Sequence, residues 1–310
     1  MKTLVTGSTG LVGQSLKELA KIDKTKEWVF VTSKDADLCD LTQTNELIKR
    51  IAPDAVINLA ANVGGLFKNM RQNVEMFEDN LLINMNMMKA CHKNGVNKLV
   101  SIMSTCIFPD KVEYPIEEDY LHNGPPHESN MGYSYAKRMI DVLSNAYNKQ
   151  YGTKFVTVVP GNLYGENDQF NLENAHVIPA LIHKCYLAKQ NNTEFCVSGT
   201  GIPLRQFTYV KDLAKVLVWV LESYSMSVPL IVSTEEEVCI QDVVFMIADK
   251  LSFEGDISFD FEPSNDGQYQ KTVSSGRLKL FYKDMTFTGL DKGLDNTIEW
   301  FLYNYENIRK

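Results

Sequence analysis

The feature that most limits this chain lies at its start, in "KTLVTGSTGLVG", Lys2 to Gly13. A short apolar run reads as a strand. It enters a turn carrying Gly7, Gly10 and Gly13, and a helix is expected from Leu11 to Ala20. A strand that feeds directly into a helix can rejoin its own sheet only as a parallel neighbour, with the helix lying across one face. Glycines at such a turn let the backbone bend tightly and approach a ligand closely. The helix behind it offers unpaired N–H groups and the positive end of its dipole. The turn therefore predicts a pyrophosphate, and with it a dinucleotide, cradled by Gly7, Ser8, Thr9, Gly10, Leu11, Val12 and Gly13.

The next 150 residues keep the same rhythm. "WVFVTS" (Trp28 to Ser33), "DAVINLAA", "KLVSIM" and "FVTVVPGN" read as strands. "LTQTNELIKRIA", about Asn73 to Lys93 and about Tyr133 to Tyr151 read as helices. Strands that are apolar almost throughout, separated by helices, predict an α/β fold: a Rossmann-type, doubly wound parallel sheet covered on both faces. After Gly165 polar loops interrupt the pattern, with helices expected at His176–Lys189, Val210–Tyr224 and Ile240–Leu251. This predicts a nucleotide-binding domain over 1–165 and a smaller α/β substrate domain over 166–310, with the strand at 229–233 able to return to the main sheet.

Composition narrows the function. At 310 residues and a net charge of −8, a nucleic-acid surface is not expected. No run reaches the roughly 20 apolar residues of a membrane span, and the chain enters its first strand without a leader-like segment. The six cysteines are scattered, with no C-x-x-C pair. Neither a metal site nor a disulfide framework is expected, and a reducing, cytoplasmic compartment is.

The second strand ends in Ser33-Lys34, where an NAD site usually places a carboxylate for the ribose hydroxyl. A hydroxyl and a cation suit a 2′-phosphate, so NADP(H) is favoured, with Asp37 and Leu38 following closely. "GYSYAKR" puts Tyr133 and Lys137 four apart on a helix, facing the same way. An ammonium beside a phenol favours the phenolate, and the pair can exchange a proton with a carbonyl oxygen. Ser104, at a strand end, can hydrogen-bond the same oxygen. Next to it stands Cys106, in "STCIFPD". A cysteine there is a small buried hydrophobe or a base, and its spacing alone does not decide which.

Gly-x-x-Gly-x-x-Gly, the strand-end serine and Tyr-x-x-x-Lys together resemble the extended short-chain dehydrogenase/reductase family. The longer segments "NLAANVGGLFKN", "HNGPPHESNMGYSYAKRMIDV", "PGNLYGENDQFN", "HVIPALIHK" and "GTGIPLRQF" are similar to the branch that epimerises and reduces a GDP-4-keto-6-deoxy sugar. The resemblance runs nearly the whole chain. It implies that Cys106 and His176 act as base and acid at the carbons beside the ketone. It also implies that Tyr133, Lys137 and Ser104 serve the reduction. Leu59, Ala60, Ala61, Pro160, Gly161, Asn162, Leu163, Lys137 and His176 are implied to line the cofactor. Lys184, Ser198, Arg205, Asp266 and Lys271 are implied to hold the GDP-sugar. Two positions depart from that branch: Ser198 stands where a tryptophan is common, and Gly161 where a threonine is frequent.

The alternatives are another nucleotide-sugar epimerase or dehydratase of the superfamily, and a catalytically silent NADP-binding sensor. The remaining histidines (His92, His122, His127, His183) and cysteines (Cys39, Cys91, Cys185, Cys196, Cys239) read as structural. The resemblance further implies a homodimer formed through the helices near 73–93 and 133–151.

Overall fold

The computed structural model describes residues 1–262 and 266–309; the middle of the polar loop expected before Lys271 lies outside them. The first part of the chain runs β1 (Lys2–Val5), α1 (Leu11–Ile22), β2 (Glu27–Phe30), α2 (Leu41–Ile51), β3 (Ala55–Asn58), α3 (Leu66–Arg71), α4 (Asn73–Lys93), β4 (Lys98–Ile102), α5 (Met131–Tyr151) and β5 (Lys154–Pro160). The second part runs β6 (Asn162–Tyr164), α6 (Val177–Asn191), β7 (Phe195–Val197), β8 (Leu204–Arg205), β9 (Phe207–Tyr209), α7 (Val210–Ser223), β10 (Leu230–Val232), β11 (Val238–Cys239), α8 (Ile240–Lys250), β12 (Ile257–Phe259), α9 (Gly276–Phe281) and α10 (Leu290–Asn304).

Six parallel strands form the main sheet, in the order β10-β5-β4-β3-β1-β2. The alternation within each strand explains why both faces are covered. Leu4, Val56, Leu99 and Phe155 point into one core with Met87, Met88 and Cys91 of α4 and Ile140 of α5. Their neighbours Val5, Ile57, Val100 and Val156 point into the other, with Leu16 of α1 and Leu213 and Leu217 of α7. A residue period of two sends successive side chains to opposite faces, so a strand buried on both sides must be apolar throughout.

Local signals set the helix ends. The Asp40 carboxylate accepts from the N–H groups of Thr42 and Gln43 at the start of α2. Gly152, at φ +67, closes α5 in the left-handed region.

Residues beyond 165 return to the sheet through α7 and β10. The rest build a third core from Tyr164, Phe170, Ile182, Phe195, Val244, Leu294 and Phe301. Its strands pair only in twos: β6 with β9, β7 with β12, and β8 antiparallel to β11. The short α3 and the C-terminal α9 and α10 were not expected from the sequence. No helix among the described residues is long and apolar enough to cross a membrane.

Candidate active site

The strand order reverses between β1 and β3, and the crevice outside the carboxyl ends at such a switch is where open α/β sheets bind ligands. The glycine turn lies there. Gly7 has φ +61, and a Cβ on it would stand 2.8–2.9 Å from the backbone of Leu59 and Ala60. A Cβ on Gly13 would stand 2.6 Å from the Gly7 carbonyl oxygen and the Ser8 Cα. The turn therefore folds back on its own helix and lies against the end of β3. No side chain caps α1 at Gly10, which leaves its first N–H groups for an anion. Ser8 Oγ is buried and has no hydrogen-bond partner among the described residues. Thr6 Oγ1 ties the edges together, donating to Asn58 Oδ1 at 2.6 Å and accepting from the N–H groups of Leu59 and Ala60 at 3.2 Å. These features fit a bound dinucleotide phosphate.

At the end of β2 the charges sort themselves. The Asp35 carboxylate accepts from the N–H and hydroxyl of Thr32, bonds that hold its pKa below the usual carboxylate value. Asp37 accepts from the N–H of Cys39. Both carboxylates are exposed but engaged in local turns, while the Ser33 and Lys34 side chains are exposed beside them. That arrangement fits a 2′-phosphate better than a free ribose hydroxyl.

On the other side of the crevice, β4 ends at Ile102 and a short 3₁₀ turn spans Thr105–Ile107, with Ser104 preceding it and Cys106 at its centre. Helix α5 faces this turn. Lys137 is buried, donates to the carbonyl of Ile102 at 3.0 Å, and has its Nζ 5.7 Å from the centroid of the Tyr133 ring. Burial lowers the ammonium pKa to about 8, with the charge of Cys106 pulling the other way. Here the structure departs from expectation. Burial pushes the Tyr133 phenol above its ordinary value, the charge of Cys106 adds to it, and Lys137 does not offset either. Desolvation of the phenolate outweighs an ammonium held by a carbonyl. Tyr133 therefore rests as a phenol, a proton donor.

Cys106 is half-buried, and its charge reaches Tyr133, Lys137, Arg138 and Lys271. Three of those four are cations. Burial lowers the pKa of Lys271, which feels Cys106, Arg205 and Asp110. His176 forms the N-cap of α6 and is open to solvent, yet the protein around it lowers its imidazole pKa by desolvation.

The implied sugar-nucleotide residues divide in two. Lys184 Nζ approaches Ser198 Oγ at 3.5 Å, and both face solvent at least in part. Arg205 donates to the carbonyls of Leu204, Tyr269 and Asp266 at 2.7, 3.1 and 3.2 Å. The Asp266 carboxylate, by contrast, is occupied: it accepts from the N–H and hydroxyl of Thr200, both at 2.7 Å. Its role in the structure is to pin the 266–271 segment to the 199–205 turn. Tyr114, which donates to the Gln270 carbonyl at 2.7 Å, anchors that segment to the opposite wall. The 266–271 strap thus spans the cleft and carries Lys271 to Cys106.

Gly161 has a local reason. A Cβ there would lie 2.5 Å from Ser233 Oγ and 2.9 Å from Thr208 Oγ1. Sequence reasoning missed Arg138, Tyr114 and Thr200. It also missed a buried amide relay in which Asn58 donates to Asn84 Oδ1, Asn84 to the Asn80 carbonyl, and Asn80 to the Asn62 carbonyl. Two of its members, Asn80 and Asn84, stand four apart on one face of α4 in "NLLINMN", a spacing present in the sequence. The four remaining histidines include His183, which is buried between the Phe170 carbonyl and the Tyr305 hydroxyl.

Comparison with known proteins adds the following. Residues 3–231 match the model of the NAD dependent epimerase/dehydratase family. A protein of Dictyostelium discoideum named GDP-L-fucose synthase is 50% identical over 99% of this chain and 97% of its own length. One of Drosophila melanogaster named probable GDP-L-fucose synthase is 45% identical over 100% and 99%. The crystal structure of a GDP-L-fucose synthetase from Naegleria fowleri bound to NADP superposes with a TM-score of 0.93 at 44% identity, covering 100% of this chain and 95% of that one.

Proposed function

The chain belongs to the NAD dependent epimerase/dehydratase family, and on that premise we propose that it converts GDP-4-keto-6-deoxy-D-mannose to GDP-L-fucose, epimerising C3 and C5 and reducing C4 with NADPH. The observation that carries this reading is the grouping of Tyr133 and Lys137 of α5, and of Lys271, about the 3₁₀ turn that holds Cys106, in a sheet whose first strand ends in a dinucleotide turn.

A 4-ketone acidifies the C–H bonds at both neighbouring carbons. Inverting them takes a base on one face and a proton donor on the other. Cys106, with cations around it, is the base. His176, at the start of α6, returns the proton. Desolvation lowers its imidazole pKa, and the negative charge of a bound diphosphate would favour the protonated, donating form. Ser104 and the Tyr133 phenol hydrogen-bond the oxygen at C4, where charge grows as each enolate forms. The Gly7–Gly13 turn, with Ser33 and Lys34 at the 2′-phosphate, would hold NADPH, which would supply the hydride for C4. Tyr133, resting protonated, gives its proton to the same oxygen, and Lys137 keeps positive charge beside it. Arg205, Lys184 and Lys271 are the cations available to the diphosphate.

The outer face of α4 and α5 supports a homodimer. Val74, Phe77, Met131, Tyr135 and Met139 line an apolar groove there, with Val74 64% and Met131 45% exposed. Light scattering that gives a monomer at micromolar concentration would remove this assembly. A site built on a free thiol also suits a cytoplasmic, reducing compartment.

The test is one reaction in heavy water with GDP-4-keto-6-deoxy-D-mannose and NADPH. Nicotinamide oxidation with deuterium at both C3 and C5 is expected. Deuterium uptake without oxidation would leave an epimerase only, and oxidation without uptake would leave a reductase. Cys106→Ser is expected to abolish uptake.

A further inference from the structure

Lys137, Arg138 and Lys271 share an unusual property. All three feel the charge of Cys106, and among the described residues none has a carboxylate within ion-pair distance. Arg138 is the most constrained. Its side chain is 5% exposed. Its Nε donates to the carbonyl of Ile107 at 2.9 Å, Nη2 donates to the same oxygen, and Nη1 donates to the carbonyl of Gly124 at 2.8 Å. The guanidinium lies 5.4 Å from the centroid of the Tyr135 ring. A buried guanidinium satisfied only by neutral carbonyls and an aromatic face still lacks a counter-charge, and buried ions without one are costly. The residue it grips follows Cys106 directly.

We propose that Arg138 is a positioning residue for Cys106. It clamps the turn through Ile107 so that the sulfur faces the cleft, and its charge balances the thiolate that abstracts the substrate proton. The balance is simple: the thiolate takes H⁺ from carbon, the electron pair passes to the C4 oxygen, and the thiol remains. Lys137 shares the stabilising charge from α5 and Lys271 from the 266–271 strap. Tyr133, also on α5, opposes it as a neutral phenol, and Asp110 faces Lys271. This inference rests on the reading of Cys106 as the epimerase base.

The test compares wild type, Arg138→Gln and Arg138→Lys in three measurements. The first is the pH midpoint of Cys106 alkylation by iodoacetamide, read on its own peptide by mass spectrometry so that Cys39, Cys196 and Cys239 serve as controls. The second is deuterium uptake by the substrate across pH in the absence of NADPH. The third is NADPH binding, which reports an intact fold. Arg138→Gln keeps a donor for Ile107 but removes the charge. Its midpoint is expected to rise by about one pH unit and its uptake at pH 7 to fall about tenfold, recovering at higher pH. Arg138→Lys is expected to restore most of both, and NADPH affinity to stay within about twofold. A midpoint unchanged in Arg138→Gln, or uptake unchanged despite a shifted midpoint, overturns the proposal. So does Arg138→Lys behaving like Arg138→Gln. Should Arg138→Gln not bind NADPH, Arg138→Met takes its place under the same criteria. Undiminished uptake in Cys106→Ser is a different failure: it removes the base itself, whatever Arg138 does.

Discussion

Gly161 offers a sharp test of how the cofactor edge is packed. Its backbone lies outside the left-handed region, so the cost of a side chain there is steric alone. A Cβ would meet Ser233 Oγ at 2.5 Å, Thr208 Oγ1 at 2.9 Å and Ser233 Cβ at 3.1 Å. Ser233 and Thr208 are fully buried. The cheapest relief is rotation of the Ser233 hydroxyl. That surrenders its contacts with Thr208 at 3.4 Å and Gln206 at 3.5 Å, both long and each worth at most about 0.5–1 kcal/mol. The residual crowding from Thr208 and the Ser233 Cβ adds an overpacking cost at the low end of about 1–3 kcal/mol. Gly161→Ala should therefore destabilise the protein by about 2 kcal/mol, and Gly161→Thr by more. Because the Gly161 N–H donates to the Val232 carbonyl at 3.0 Å, the strain should also reach Pro160–Leu163 and weaken NADPH binding. Ser233→Ala removes the nearest atom. Urea unfolding of the two single variants and the double variant then gives a cycle, and a favourable coupling of about 1 kcal/mol is expected. Additivity within about 0.5 kcal/mol would refute the argument, since non-contacting sites behave that way.

Other outcomes follow from the same geometry. Lys34→Ala should weaken NADPH about tenfold, the loss of one exposed but specific phosphate contact, and leave NADH unchanged; fluorescence titration of both cofactors checks it. Burial lowers the Lys137 pKa to about 8, so hydride transfer should fall as pH rises through that value, and a rate flat to pH 10 would exclude an essential ammonium. Asp168 is buried with Oδ2 unpartnered, and burial raises its pKa to about 7. The unfolded chain ionises near pH 4 while the folded carboxyl keeps its proton to about 7, so stability falls as pH rises across that window. Asp168→Asn should accordingly stabilise at pH 8, by at most about 4 kcal/mol, and hardly at pH 4; equal midpoints in urea at both pH values would contradict it. Thr200→Val removes the hydroxyl from Asp266 Oδ2, leaves the backbone N–H on Oδ1, and should raise the KM for the sugar nucleotide without changing uptake of deuterium at saturation; an unchanged KM would show that the strap holds without the hydroxyl.

The main sheet was legible because its signal is local. An apolar strand has a period of two, an amphipathic helix a period of 3.6, and a glycine turn between them can mean little else. Helix α4 begins and ends at the residues read from the sequence. The C-terminal α10 escaped because "LDKGLDNTIEWFLYN" mixes glycine and charge into its apolar stripe, and only packing of Leu294, Ile298 and Phe301 against Tyr164, Phe170 and Tyr186 makes it a helix. Asp266 shows the same limit in the site. The resemblance implied a sugar-nucleotide contact for Asp266; that Thr200, distant in sequence, donates to both of its oxygens is visible only in the fold.

By itself the order of residues determined the parallel sheet, the dinucleotide turn and the pairing of Tyr133 with Lys137 on one helix face, because each depends on side chains within one strand, turn or helix. Tertiary structure alone decided their electrostatic state. The Tyr133–Lys137 spacing suggested a phenolate, but burial in the cleft wall keeps the phenol protonated and makes the ammonium the weaker acid–base anchor. Cys106 was ambiguous in the chain. In the fold α5 and the 266–271 strap bring Lys137, Arg138 and Lys271 toward it from positions 31 to 165 residues away, a grouping that no local stretch of sequence encodes.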